Sequence, residues 1–309
     1  METVVPDEQI LGLDPAGRIE PTSFEFQRAD SWDEAVELLQ IWAGEAKIIA
    51  GGQSLVPMLN LRLAEPTALI DINDIGDEGG PRLEDGDDGP VVVIPALTTH
   101  TKVLGSSLIA EHCPLLRHAA GLVGNVRVRN RGTFGGSVAH ADPTGEFPCC
   151  VLAMGGTVTL RGPGGTRTVP AIEWFRTYLT TAAERDELVT EVRIPSAAGT
   201  AWAFEEEVRR FSDFATVSVA LQTRPGRLPA IVLGGVADRP LLMPDDAVDP
   251  LRNPETETLA AVAAVAAELA RPESDVHASA EHRRRLVRVL VRRALVQALR
   301  PDGSRGNLR

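Results

Sequence analysis

Cysteine, lysine and tyrosine are all scarce in this chain, and each scarcity excludes something. There are 3 cysteines in 309 residues, and two of them, Cys149 and Cys150, are adjacent. Together with Cys113 they form no C-x-x-C or Cys/His spacing, so neither zinc nor iron–sulfur ligation is supported. A disulfide framework is equally excluded, and the free thiols suit a reducing cytoplasm. No apolar run approaches the roughly 18 residues that cross a bilayer, so no membrane span is expected. The opening METVVPDEQILGLDPAGRIEP lacks the basic and apolar regions of a secretory signal. Lys47 and Lys102 are the only lysines, and Tyr178 is the single tyrosine. No Ser/His/Asp order and no metal-binding histidine pair stands out, so no catalytic residue and no metal ligand is assigned. Neither G-x-G-x-x-G nor G-x-x-x-x-G-K-[ST] occurs, which argues against a Rossmann or P-loop site. The chain carries 43 acidic against 31 basic side chains, a net charge of −12. Phosphate backbones repel such a chain, so nucleic acid is not an expected partner.

What is present reads as alternating α/β elements followed by an α+β tail. Residues 1–22 read as a flexible lead. Ser31 and Glu34 form a capping-box pair, and Ala35, Leu38, Leu39 and Trp42 recur at helical spacing before Gly44 ends the helix. Strands are expected at 47–50, 68–72 and 91–94, with a Gly/Asp-rich turn region over 76–90. Helices are expected at about 101–111 and 114–123. Thr157–Leu160 and Arg167–Val169 flank GPGG as a hairpin, and Leu188–Ile194 reads as a strand. Residues 196–200 (SAAGT) are the linker candidate. Beyond them come three strands (202–208, 214–221, 230–236) and two helices. One helix is expected from Asn253-Pro254 to Ala270, and the other covers 279–300. These readings divide the chain into 23–75, 76–197 and 201–302.

Two glycine-rich segments carry the chemistry. In Ala50-Gly-Gly-Gln-Ser54 a strand empties into two residues without Cβ, and consecutive amides there can approach an anion. Thr133-Phe-Gly-Gly-Ser137 repeats the design within 129–140, which reads as a second glycine-rich loop. Two such loops suit a dinucleotide diphosphate; read singly, each is also compatible with a tight turn. His140 stands beside Asp142 as either a cofactor contact or a loop-fixing hydrogen bond. Cys149 and Cys150 read as packed small hydrophobes. Seven arginines between Arg283 and Arg300 make either a solvated helix face or a subunit-docking face.

AKIIAGGQSLVPMLNLRLAEPTALIDIN (46–73) and VRNRGTFGGSVAHADPTGEFP (128–148) resemble the two FAD-binding signatures of the flavoprotein (medium) subunits of molybdenum hydroxylases. That family includes the xanthine dehydrogenase and aerobic carbon monoxide dehydrogenase groups. GPGGTRTVPA (162–171), ELVTEVRIP (187–195), RRFSDFATVSVA (209–220) and LGGVADRP (233–240) continue the likeness in order. The resemblance implies an α+β protein with a vanillyl-alcohol-oxidase-type (PCMH-type) FAD-binding fold of two α/β subdomains. A C-terminal α+β flavoprotein domain, a small antiparallel sheet with helices, follows.

By motif position, Ile49, Ala50, Gly51, Gly52, Gln53, Ser54 and Leu55 would bind the diphosphate. Thr133, Phe134, Gly135, Gly136 and Ser137 would form the second cofactor segment. His140 and Glu146 fall near the flavin ring and ribityl chain, and Leu188, Val189 and Thr216 near other ring contacts. Ser137 stands where many members have asparagine. Thr216 stands where xanthine dehydrogenases have lysine, which puts their kind of NAD reduction in doubt. The implied function is electron transfer through non-covalent FAD. Electrons would come from [2Fe–2S] clusters on a small partner subunit, with molybdopterin on a large one, in a cytoplasmic dimer of heterotrimers. The alternative is a free-standing FAD-dependent oxidase or reductase with its own organic substrate.

Overall fold

The computed structural model describes residues 21–76 and 79–299. The expected lead lies outside the described residues except for Pro21 and Thr22, as does Arg300 at the end of the arginine run. The chain divides into two compact units.

The first unit contains the described residues up to Gly76, with Arg161–Thr166 and Ala183–Leu188. Its elements are β1 (Glu25–Arg28), α1 (Trp32–Ile41), β2 (Ala46–Ile49), α2 (Leu55–Asn60) and β3 (Ala68–Asp71). Half of the capping box forms: Ser31 Oγ accepts the Glu34 N–H at 3.2 Å, while the Glu34 carboxylate accepts at 2.7 Å from the N–H of Asp30, one residue before the cap. α1 buries Ala35, Val36 and Leu39. β3 is the central strand of a parallel sheet in the order β1-β3-β2, and its Ala68, Leu69 and Ile70 are buried. A short apolar strand flanked on both sides reads as a continuous hydrophobic run, which ALI at 68–70 is.

The second unit opens with β4 (Arg82–Gly86) and β5 (Gly89–Pro95). Seven short helices follow: α3 (His100–Gly105), α4 (Ser107–His112), α5 (Pro114–Leu122), α6 (Val126–Arg131), α7 (Phe134–His140), α8 (Glu146–Ala153) and, after β6 (Thr157–Gly162) and β7 (Gly165–Pro170), α9 (Ala171–Trp174). A two-stranded ribbon, β8 (Phe175–Thr177) and β9 (Thr180–Thr181), precedes β10 (Leu188–Pro195). The five-stranded sheet runs β4-β5-β10-β6-β7.

Four expectations change. β4 occupies what reads as turn, because its RLEDG is a charged edge strand with no apolar run to announce it. Its charges close a ring: Arg82 bonds Glu84 and Glu191 at 2.8 Å, and Arg193 bonds Glu84 at 2.8 Å and Glu191 at 3.1 Å. Val93 lies opposite both arginines in the register and is fully buried. The helix expected over 101–111 is two helices, split where Ser106 turns to extended backbone (φ −73°, ψ 122°) and caps the second through Ile109 N–H. The 129–140 segment is helical rather than a loop, with α6 and α7 meeting at Gly132.

The remaining elements are β11 (Trp202–Val208), β12 (Ala215–Gln222), β13 (Ala230–Gly234), β14 (Leu241–Leu242), α10 (Asp245–Val248), α11 (Thr256–Leu269) and α12 (Ala280–Ala298). α11 begins at Thr256 behind Glu255, so Asn253 is not its cap and Pro254 is not its first residue, which is the fourth change. The strands form an antiparallel sheet in sequence order. Val217, Val219 and Leu221 of β12 pack with Val262 and Ala266 of α11 and with Val287, Leu290 and Val291 of α12. The opposite face of β12 meets α8, and small residues make that approach possible. A Cβ on Gly234 would lie 2.3 Å from Ser218 Oγ and 2.7 Å from Cys149 Sγ. The 196–200 stretch is tied down: Ser196 N–H donates to Pro90 and Ala197 N–H to His112.

Candidate functional site

The first glycine turn leaves β2 and enters α2. Gly52 has φ +71°, a left-handed conformation that favours glycine, and a Cβ there would meet Val56 at 3.1 Å. The carbonyls of the turn are engaged: Ala50 accepts from Asn73 Nδ2 at 2.9 Å, Gly51 from Gln53 Nε2 at 2.9 Å, and Gly52 from Val56 N–H at 2.9 Å. By contrast, the N–H groups of Gly51, Gly52, Gln53 and Ser54 have no hydrogen-bond partner among the described residues. Nor does the Ser54 hydroxyl cap α2. Consecutive amides stripped of internal acceptors are the donor set that an anionic oxygen needs. Asn73, which braces the turn from the end of the neighbouring strand, was not singled out by sequence; its signal is its place at the end of the 46–73 segment.

The second segment works differently. Thr133 caps α7, its Oγ accepting Gly136 N–H at 3.1 Å. Phe134 N–H donates to Thr98, Gly135 N–H to Ala96 and Ser137 N–H to Thr133. The amides from Phe134 to Ser137 are therefore already bonded within the protein. The glycines have a packing reason. A Cβ on Gly135 would stand 2.6 Å from the Cα of Ala96, and one on Gly136 would stand 2.6 Å from the capping Thr133 Oγ. What this segment presents outward is an exposed Gly136 and a half-buried Ser137.

His140 ends α7, and Ala141 follows in the left-handed region (φ 55°). The imidazole is half-buried and has no hydrogen bond among the described residues, so the loop-fixing bond is not made. Burial lowers its pKa, with the Asp142 carboxylate opposing. The loop is fixed instead by Asp142, which accepts from Thr144 N–H at 2.8 Å and from its hydroxyl at 2.6 Å. Glu146 opens α8 and is buried. Burial pushes its carboxyl up to about 8, and the charges of Glu206 and Asp142 push the same way. Glu206, on β11, is pushed up to about 7 by burial, and its Oε2 has no partner among the described residues. Leu188 and Val189 are both buried at the start of β10. Thr216 is buried on β12, with its carbonyl accepting from Arg283 Nη1 at 2.5 Å.

Cys149 and Cys150 are fully buried on α8; desolvation holds the Cys149 thiol up at about 12 and that of Cys150 well above its ordinary value. They are packed small side chains, not nucleophiles. Among the described residues no group of His, Cys, Asp or Glu is arranged to hold a metal ion, and no helix is long and apolar enough to cross a membrane.

Residues 22–197 match the family described as the FAD-binding domain in molybdopterin dehydrogenase, and residues 202–298 match the carbon monoxide dehydrogenase flavoprotein C-terminal domain. The medium chain of carbon monoxide dehydrogenase from Hydrogenophaga pseudoflava is 37% identical over 281 residues, covering 89% of this chain and 96% of that protein. Subunit alpha of the 6-hydroxypseudooxynicotine dehydrogenase complex of Paenarthrobacter nicotinovorans is 35% identical over 288 residues, covering 91% and 96%. A chain in the structure of reconstituted CO dehydrogenase from Oligotropha carboxidovorans superimposes with a TM-score of 0.84 at 34% identity, covering 93% of this chain and 99% of that one.

Proposed function

The chain belongs to the family of FAD-binding subunits of molybdopterin dehydrogenases, and from that premise we propose that it is the electron-transfer flavoprotein of a multi-subunit molybdenum hydroxylase. Its cofactor is FAD, held without a covalent bond. The two matched domains span nearly all the described residues and meet the medium chains of such complexes end to end. The single observation that carries the site is the set of four successive unbonded amides at Gly51–Ser54.

These residues fit the cofactor. The amides from Gly51 to Ser54 and the Ser54 hydroxyl hold the diphosphate, with Ile49, Ala50 and Leu55 setting the turn and Asn73 bracing it. In the second unit Thr133, Phe134, Gly135 and Gly136 supply a wall without protruding side chains. Ser137 and His140 supply hydrogen-bonding groups without a partner among the described residues. Glu146, Leu188 and Val189 complete the set, with Glu146 keeping its proton near neutrality. When bound, FAD supplies the redox chemistry, since flavin accepts electrons one at a time and passes them on singly or in pairs. The protein's part is to seat the cofactor, shield it and tune it; no side chain is required as acid or base.

The finer architecture is proposed on the same basis. Residues 23–75 and 76–197 form two subdomains of a vanillyl-alcohol-oxidase-type fold, and 201–302 form the C-terminal domain. An iron–sulfur small subunit delivers electrons, a molybdopterin large subunit oxidises the substrate, and the assembly is a cytoplasmic dimer of heterotrimers. Stopped-flow mixing of the flavin-loaded chain with a reduced [2Fe–2S] partner tests the relay. Bleaching of the flavin absorbance is expected. Turnover of a small organic molecule by the isolated chain, with no bleaching by the partner, would overturn the reading.

A further inference from the structure

His100 is a buried polar residue that the electron-transfer function does not call for. It opens α3 and is 5% exposed. Its backbone N–H donates to Gly132 at 3.0 Å, and its Nε2 lies 3.0 Å from the carbonyl oxygen of Thr133. A carbonyl only accepts, so Nε2 carries the hydrogen and Nδ1 is left bare. That Nδ1 is buried and has no partner among the described residues. The ring meets Phe147 edge-on, with centroids 4.9 Å apart and planes at 79°. The chain bends closely round the ring, since a Cβ on Gly132 would lie 2.7 Å from His100 Cε1.

An unpaired buried nitrogen is destabilising, and a leucine or methionine at this place would not incur that cost. A rule broken at a cost points to a role outside packing. The contacts say which role. One ring bonds the residue that caps α7 and touches the second residue of α8. Those two helices carry Ser137, His140 and Glu146. The Thr133 carbonyl also accepts Ser137 N–H at 3.0 Å, so His100 acts on the first turn in which Ser137 stands.

We infer that His100 is a positioning residue for FAD: it fixes the first turn of α7 against α8 through its Nε2–H bond to Thr133. The inference rests on the FAD reading above. It places a determinant of cofactor affinity outside both glycine segments, on a residue that does not itself touch the cofactor.

The test compares His100→Gln with His100→Met in the full chain. The two side chains are alike in length and flexibility, and only glutamine can donate to the Thr133 carbonyl. Flavin is removed, FAD is titrated back by fluorescence quenching, and thermal melting reports the folded fraction. His100→Met should raise the Kd for FAD at least about tenfold, while His100→Gln should stay within about threefold of wild type. Equal affinities for the two variants, or loss of folded chain in both, would make His100 a packing residue and overturn the inference. A wild-type chain that takes up no FAD would overturn the FAD reading and this inference together. Wild-type uptake with His100→Met unchanged would overturn the inference alone.

Discussion

At the scale of single residues, the glycines and buried carboxyls differ sharply in what the sequence disclosed. The motif Thr133–Ser137 was visible, but not why it holds two glycines. Gly135 is small because Ala96 stands against it, and Gly136 is small because the cap hydroxyl does. Gly135→Ala should therefore destabilise the chain by about 2 kcal/mol through overpacking, before any question of cofactor arises. Gly136→Ala should cost about 1 kcal/mol by displacing the Thr133 cap. Urea unfolding of the flavin-free chain measures both, and a neutral Gly135→Ala would contradict the packing argument. Glu146 gives a pH prediction. Its folded carboxyl titrates at about 8 against an ordinary 4.5, so the folded chain keeps a proton that the unfolded chain releases. Its contribution is present below pH 4.5 and is lost as pH rises through 8. His100 has the opposite sign, because burial lowers it to about 4 from 6.5; its contribution is present above 6.5 and is lost towards 4. Between pH 6.5 and 8.5 Glu146 and Glu206 both lose protons that the folded chain favours, so the wild-type melting temperature should fall and Glu146→Gln should lessen the fall by about 3 °C. Parallel curves for the two proteins would refute it.

At the scale of elements, legibility followed the strength of the local signal. α1 could be read because its cap, its apolar spacing and its terminating glycine agree. β3 and β12 could be read because strands covered on both faces are continuously apolar. β4 could not, because an exposed edge strand closed by an arginine–glutamate ring carries no hydrophobic pattern. The 129–140 segment reads as a loop because two glycines in a row weaken a helix; the Thr133 cap, the Asn125 side chain accepting the Arg127 and Val128 N–H groups, and the close fit at Ala96 outweigh that weakness. The start of α11 lies beyond the expected cap because Asn253-Pro254 imitates one while Glu255 holds the place. Arg283 shows what sequence alone misses in α12. It sits on an arginine-rich helix but is buried, bonding Thr216, Gly235 and Asp275. Asp275 in turn accepts His277 N–H at 2.8 Å and Ala278 N–H at 2.9 Å. Asp275→Ala should cost about 2 kcal/mol, because a buried guanidinium loses its charged partner. Chemical denaturation checks this, and a loss no larger than that of Asp249→Ala on the surface would count against it.

At the scale of the whole molecule, the family was legible because the two glycine segments and the later motifs occur in one order along nearly the full chain. Of the candidate site, sequence chemistry gives both segments one role as amide donors, whereas the unbonded amides belong to the first turn and those from Phe134 to Ser137 are bonded within the protein. The central claim is that the Gly51–Ser54 turn holds FAD, and the most direct measurement is the flavin-to-protein ratio after reconstitution, read from absorbance near about 450 nm. About one FAD per wild-type chain is expected, with near-complete loss in a folded Gly52→Val variant, whose side chain fits neither the left-handed backbone nor the approach of a phosphate. No flavin on the wild-type chain, or equal flavin on both proteins, would contradict it.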